Sequence, residues 1–418
     1  MRYAIRAAAF FAALSLIVVA CSSGSATPSI LSSNGPAASP TATATASPTA
    51  TSATPTPTAK PTASVAPTAK PIAKPTAKPT PMPTPSPTPI RGQYLLYKVS
   101  IPNSGGFTPQ IWVVKPDGTG RRKIADGPNL PIASPPTHDI DAVWSHDGSA
   151  IHVVKYSAGT SDATHCMPTI TNYSIDSGSV HVVGASLTNH DDNFIWSPDD
   201  TRIVFRHWVG QPDCVMDGFD DRTDLVMMNA NGTGRHTIAT NVSYDVTSWA
   251  SDGTSLIGDD KSTYRPVLVN PTTGVATPIG PPSAQGWSVS ADGTGIAFLV
   301  SDRLHVVNSN GTGAIDLSAP PATDYGPVWS PDGTAIAVQR TRGAKTNVDV
   351  IRLPSPAATV LPGITSAGQK ETPCWSPDGT RIAVAVNAGP VVVVNSNGTG
   401  AVSVPGVTSV YLLAWQPQ

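Results

Sequence analysis

One stretch of twelve residues recurs along this chain with little change: "WSPDDTRIVFRH" from Trp196, "WSPDGTAIAVQR" from Trp329 and "WSPDGTRIAVAV" from Trp375. Self-similarity constrains a fold more than any other sequence feature, because a unit that cannot bury its own apolar face must stack on its neighbours. Tryptophans fall at Trp144, Trp196, Trp249, Trp287, Trp329, Trp375 and Trp415, at intervals of 52, 53, 38, 42, 46 and 40 residues. That interval suits a unit of four strands, and it is too long for a heptad or a helical repeat.

Each unit reads alike. A short apolar strand ends at Trp-Ser, and a turn follows at 146–148, 198–200, 251–253, 291–293, 331–333 and 377–379. In such a turn Pro presets φ, Asp bonds its own backbone and Gly accepts positive φ. A β-branched strand such as "IAVAV" comes next, then a variable loop, then a strand such as "LVMMN", "LHVVN" or "VVVVN". A second turn closes it: "PDGTG" at 116–120 and "NGTG" at 231–234, 310–313 and 397–400. Asn-Gly and Asp-Gly between apolar runs are strong hairpin signals. Four strands per unit, repeated radially, predict an all-β chain: a β-propeller of four-stranded antiparallel blades. The ring also predicts its own closure. The chain ends at "VYLLAWQPQ", a Trp strand whose partners are missing, and the repeat region opens with "QYLLYKVS" and "IWVVKPDGTG", which are partners without a Trp strand. Pairing the two ends gives seven blades. Six blades is the alternative, if one degenerate unit is absorbed into a loop.

The chain before residue 91 is of another kind. Arg2 and Arg6 precede an apolar run too short to span a membrane comfortably, and the run ends at Val18-Val19-Ala20-Cys21. This resembles a bacterial lipobox, which implies a signal peptide over 1–20 and a lipid on the Cys21 thiol. An ordinary signal peptide with an incidental cysteine is the other reading. Two acyl chains would hold the membrane where one would not. Residues 21–90 are almost entirely Pro, Thr, Ala and Ser, too poor in apolar surface to offset chain entropy, so a disordered linker is expected. Dense proline favours an extended stalk of roughly 3.1 Å per residue, on the order of 200 Å over about 65 residues. Residues 91–418 then form the propeller. Only 13% of the 418 residues are charged and the net charge is -2, so the basic footprint of a nucleic-acid binder is absent.

Residues 93–418 resemble the TolB-type WD-like propeller repeat, in which "W-S-P-D-G" is followed by an Ile-Ala-Phe-like strand and then "N-x-D/N-G-T-G". The resemblance implies the propeller and says little about function, because these residues build blades. TolB proteins carry a separate globular domain where this chain has its Pro/Thr-rich stalk.

With the Trp strand innermost, both short turns share one rim and the variable connections share the other. The longest connections, 124–140, 156–171 and 207–223, lie on that second rim, where binding is expected. Cys166 and Cys214 sit in corresponding loops of neighbouring units, and in an oxidising compartment a disulfide between them is expected. Cys374, just before Trp375, should be a buried and inert thiol. The position four before each Trp should line the central channel: Ile140, Asp192, Asp245, Ser283, Tyr325, Glu371 and Tyr411. With His138 and His190 nearby, polar groups converge on one mouth. The candidate ligand-binding set is His138, His190, Asp192, Asp245, Tyr325, Glu371 and Tyr411, and solvated channel side chains are the plainer reading. His165, His207, Asp139 and Asp191 could add a metal or acid–base site. The acidic loop with Asp213, Asp217, Asp220 and Asp221 offers hard oxygens to Ca2+ without the spacing of an EF-hand. No Gly-x-Ser-x-Gly elbow, His-x-x-x-His or Cys-x-x-Cys pattern appears, so no catalytic residue, resident cofactor or metal centre is assigned. The expected protein is a monomeric, lipid-anchored, extracytoplasmic binding or scaffolding module for a protein or carbohydrate. The alternative is a propeller lyase or hydrolase acting on extracellular carbohydrate.

Overall fold

A computed structural model describes residues 92–104, 106–128, 130–131, 140–157, 167–184, 186–209, 222–281, 284–309, 311–318, 321–353, 358–361, 372–386, 389–408 and 410–418. The leader, Cys21, the linker, Cys166, Cys214 and the acidic loop lie outside them. Every regular element among the described residues is a strand, and they form seven antiparallel sheets in a ring. Seven blades therefore stand and the six-bladed alternative falls. In blade 1 the last strand, Val410–Trp415, pairs with Leu95–Asn103, which leads on to Gly106–Val114 and Arg122–Asp126; the two-residue strand Leu130–Pro131 also pairs with Gly106–Val114. The two ends of the repeat region thus share one sheet. Blades 2 to 7 begin with the inner strands Ile140–Trp144, Asp191–Trp196, Tyr244–Trp249, Gln285–Val289, Thr323–Trp329 and Cys374–Trp375, each followed by three strands in sequence order.

The second strand of each blade explains the stacking. Its side chains alternate between the two faces of the sheet, and both faces are covered by neighbours. In blade 5, Ile296 and Phe298 pack towards blade 4, while Ala297 and Leu299 pack towards blade 6. The described residues form seven apolar clusters, one for each interface between blades.

The repeated tryptophan ties these interfaces together. Its indole N–H donates across the interface to the carbonyl just ahead of the corresponding position in the preceding blade. Trp329 bonds Ser288 at 3.2 Å, Trp375 bonds Val328 at 3.1 Å, Trp415 bonds Cys374 at 3.0 Å, and Trp249 makes a longer contact of 3.4 Å with Ile195. The preceding blade also supplies a cover for the ring: Arg202 over Trp249, Arg381 over Trp415, and His152 stacked on Trp196 at 4.7 Å. Gly295 lets Trp329 approach, since a Cβ there would lie 2.9 Å from its ring. Blade 5 is the exception. Val289 pairs with Ile296 as Trp329 pairs with Ile336, so Val289 holds the repeat position and Trp287 stands two residues ahead of it. The uneven intervals around Trp287 arise from this offset.

The first turn is built by its serine. In five blades the Ser hydroxyl donates to the Asp two residues on, over 2.5–2.7 Å. The same oxygen accepts the N–H five residues on, over 2.8–2.9 Å. Blade 4 has Ala250 there, and Asp252 still accepts from the N–H and hydroxyl of Thr254. In blade 3 Asp200 occupies the left-handed position that is glycine elsewhere, at φ 53°, a conformation aspartate tolerates. It accepts the His146 N–H and lies 2.8 Å from that ring, which clamps blade 2 to blade 3. Burial alone would raise the Asp200 carboxyl, but His146 and His152 hold it well below the ordinary value.

Cys374 is a free thiol, packed against the cluster that contains Trp415. The residue is half-buried rather than fully buried, and burial pushes its thiol up to about 12.

Two measurements check this account. Trp415→Ala removes a fully buried ring together with the closing hydrogen bond, and should cost about 3–5 kcal/mol. Trp287→Ala, at a half-buried position off the repeat, should cost clearly less; equal losses in urea unfolding of the full chain would refute the role given to the repeat tryptophan. The turn aspartates Asp147, Asp292, Asp332 and Asp378 would be raised by burial, but Ser and Thr donors hold them below the usual carboxylate value; in Asp199 the Ser197 bond is itself the largest influence. Their folded values are depressed, so their contribution is present above the unfolded value of about 3.9 and is lost as pH falls through the folded one. Replacing all five with Asn should flatten the acid limb of the stability curve.

Candidate functional site

Chain direction decides which side chains meet on the second rim. Inner strands begin there and second strands end there, so Asp191 and Asp192 lie opposite His207 and Arg206. Successive residues face opposite ways, and blade 3 therefore sends one acid–base pair to each side.

Towards blade 4, Arg206 holds Asp192 through two bonds, Nε to Oδ1 at 2.8 Å and a terminal nitrogen to Oδ2 at 2.9 Å. Its other terminal nitrogen donates to Asp245 of blade 4 at 2.9 Å. The Trp208 indole donates to Asp192 Oδ2 at 3.0 Å, and the guanidinium lies over that indole. Lys261 sits 3.8 Å from Asp245 and donates to the Thr223 hydroxyl at 2.8 Å. Burial would lower the Arg206 pKa, but the two carboxylates raise it further than burial lowers it. Asp259 lies opposite Asp245 across the strand pair. Burial, with the charges of Asp245 and Asp260 against it, pushes its carboxyl up to about 6 despite Lys261.

Towards blade 2, Asp191 is fully buried. It accepts two bonds from Arg235, at 2.6 and 2.9 Å, and the Thr188 N–H at 2.7 Å. His207 Nδ1 lies 2.8 Å from its Oδ1. An ionised carboxylate only accepts, so Nδ1 is the donor to it and Nε2 is the ring nitrogen that faces away. Burial would raise Asp191, but Arg235, Thr188 and His207 hold it below the ordinary value. The His190 ring stands edge-on to His207, with centroids 5.7 Å apart. Burial and then His207 lower its pKa, so it is neutral at neutral pH.

Elsewhere on the rim, Arg340 of blade 6 is buried between Asp324 and Asp349, and Arg342 covers Asp349. Lys98 of blade 1 donates to the Ile140 carbonyl at 3.2 Å and lies 3.8 Å from Asp141.

The structure thus brings His190, Asp192 and Asp245 into one stretch of rim. Tyr325 stands half-buried at the same strand position in blade 6. His138, His165, Glu371 and the acidic loop lie outside the described residues, as does the Tyr411 side chain. Counting back from each Trp misplaces two positions. Inner strands of blades 3 to 6 carry an irregularity that blade 2 lacks, so Asp141 takes the channel register in blade 2 and Ile140 is buried in the core. In blade 5 the two-residue offset moves that register to Gln285, and Ser283 is outside the described residues. Sequence reading passed over Arg206, Arg235, Trp208, Asp259 and Lys261. A signal for the first was present: an arginine ends "IVFR" where the matching strands of blades 2, 5 and 7 have Val154, Leu299 and Ala385, and a half-buried arginine needs a carboxylate partner.

No protein-family model matches the chain, and no curated protein matches it. Among solved structures it is similar to TolB from Acinetobacter baumannii, at 14% identity over 78% of this chain and 83% of that one, with a TM-score of 0.44. It is similar to an oligogalacturonate lyase in complex with manganese, at 13% identity over 75% and 85%, TM-score 0.48. A functionally unknown protein from Desulfotomaculum acetoxidans matches at 14% identity over 78% and 100%, TM-score 0.47. The seven-bladed ring described above is consistent with a TolB-type propeller, and likeness at this level carries no argument about activity.

Proposed function

We propose that this chain is a surface-anchored binding module. A lipid on Cys21 and a Pro/Thr-rich stalk carry a rigid propeller outside the cytoplasm, and the rim bearing Arg206, Asp245 and Asp259 meets a protein or carbohydrate. The mutual engagement of the rim charges carries this reading. Asp192 is taken by Arg206 and Trp208, and Asp245 by Arg206 and Lys261. Such a mesh presents hydrogen-bonding edges in fixed positions, as recognition of a polar surface requires, and it leaves neither carboxylate available as a nucleophile. A disulfide between Cys166 and Cys214 would pin the two long loops beside this rim, and the loop with Asp213, Asp217, Asp220 and Asp221 would hold Ca2+ only weakly. The module acts as a monomer. The buried Asp191 that orients His207 favours a second reading, a lyase or hydrolase acting on extracellular carbohydrate. Release of new chain ends from polyuronide or cell-wall glycan, lost in His207→Ala, would establish that reading instead.

Three outcomes are expected. Cys21→Ser should move the chain from the membrane fraction to the soluble fraction and abolish labelling by a fatty-acid analogue; unchanged partitioning would remove the anchor. A photoreactive phenylalanine replacing the exposed Tyr264 of the second rim should crosslink envelope material on intact cells, while the same probe at Thr399 on the opposite rim should not. Equal yields would refute the assignment of faces. Asp259 has a raised folded value, so its contribution is full below about pH 4 and is lost as pH rises through about 6. Asp259→Asn should therefore raise the unfolding temperature at pH 8 and leave it unchanged at pH 4.

A further inference from the structure

The blade 2 side of the rim holds an arrangement that the binding reading does not use. Asp191 is fully buried, and its charge is matched by the paired bonds from Arg235 and the Thr188 N–H. His207 is not needed to neutralise it. What Asp191 does for His207 is fix the ring: Nδ1 faces the carboxylate at 2.8 Å, and Nε2 points away from it. His190 stands beside it, and among the described residues no hydrogen bond to either His207 Nε2 or the His190 ring is found. His190 follows directly on the Thr188 turn and precedes the inner strand, while His207 lies near the end of the second strand, so the two rings ride on elements that the sheet holds together.

A carboxylate behind an imidazole is the usual support of a metal-ligating histidine, because it sets the tautomer and raises the basicity of the other nitrogen. The spacing fits as well. Each ligating nitrogen sits about 2.0–2.1 Å from a zinc ion. Adding the distance from nitrogen to ring centre on each side puts two imidazoles on one ion at centroid separations of about 5–6 Å, and the rings here are 5.7 Å apart. Arg235 brings a positive charge to within 3.5 Å of His207 Nδ1, but that charge is already paired with Asp191.

We propose that His190 and His207 form a two-imidazole site for a divalent transition ion of the zinc or copper class, with Asp191 as the residue that positions His207. Among the described residues no cluster of three ligating side chains is present, so these residues supply two imidazoles, and the proposal rests on those two ligands alone. The site is independent of whether the rim captures a partner, and its failure would leave the binding reading untouched.

The test uses the full chain, purified without a histidine tag. Zn2+ titrated by calorimetry should bind at one equivalent. His190→Ala and His207→Ala should each weaken binding at least tenfold, while His236→Ala, an exposed histidine of blade 3 placed away from the pair, should not change it. Cu2+ added to the same protein should show coupling to two imidazole nitrogens in its paramagnetic resonance spectrum, and to one in either single variant. Asp191→Asn should lower affinity by about 10–100-fold. Should that buried change prevent folding, the His207→Ala spectrum still decides the matter. Affinity retained in the His190→Ala/His207→Ala double variant, or a copper spectrum without two imidazole nitrogens, would overturn the proposal.

Discussion

The ring rests on one contact repeated around it: an indole that reaches out of its own blade to cap a backbone carbonyl of the blade before. A blade alone has two apolar faces and no means of covering either. Burial drives stacking but is indifferent to rotation and register. The indole N–H adds direction, because a buried donor left unmatched costs about 1–3 kcal/mol. Trp329, Trp375 and Trp415 each meet that demand at the same point of the preceding blade, so the angle between blades is set by geometry as well as by area. Where the device is missing the chain compensates. Among the described residues the Trp144 N–H has no partner, and its blade is instead joined to the chain end by Gln416, which donates to the Gly148 carbonyl. Between blades 2 and 3 the Trp196 ring lies parallel to His152, and Asp200 links across to His146.

A scaffold fixed in this way can carry charge at its rim. Burying an ion pair gives back little net stability unless every donor and acceptor is met. The rim meets that condition by using cross-strand neighbours: Asp192 with Arg206 in blade 3, Asp324 with Arg340 in blade 6. Both pairs sit where the inner strand is irregular, next to its first residues. The irregularity turns the strand opening so that a carboxylate points along the second strand's guanidinium, and the longer reach of arginine then bridges to the next acid, Asp245 or Asp349.

Architecture was legible in the sequence because it is written many times. Ser-x-Asp-Gly turns, Asn-Gly-Thr-Gly turns and β-branched runs each carry local instructions, and the split Trp unit at the two ends announced closure. The candidate site was legible only in outline. His190, Asp192 and Asp245 could be placed on one rim by counting back from tryptophan, since blades 3 and 4 share a register. Counting failed at Ile140 and around Trp287, where a strand irregularity and a two-residue offset shift the frame without leaving a local mark. Partners such as Arg235 were out of reach for a different reason. Arg235 follows a turn on the opposite rim, and its side chain crosses the face of Phe205 to reach Asp191, a path visible only once the sheet exists.

Alternation along a strand gives blade 3 its two characters. Arg206 and His207 are neighbours in sequence, and the pleat sends them to opposite faces. The first enters a mesh with blade 4, in which Arg206 and the Trp208 indole are spent on carboxylates and Lys261 on the Thr223 hydroxyl. The second is aimed by a carboxylate that has no need of it, and its outer nitrogen is left beside a second imidazole. Mutual neutralisation closes the blade 4 side on itself, whereas on the blade 2 side the outer nitrogen of His207 has no hydrogen bond among the described residues. One residue of strand phase therefore separates the two kinds of chemistry this rim can support.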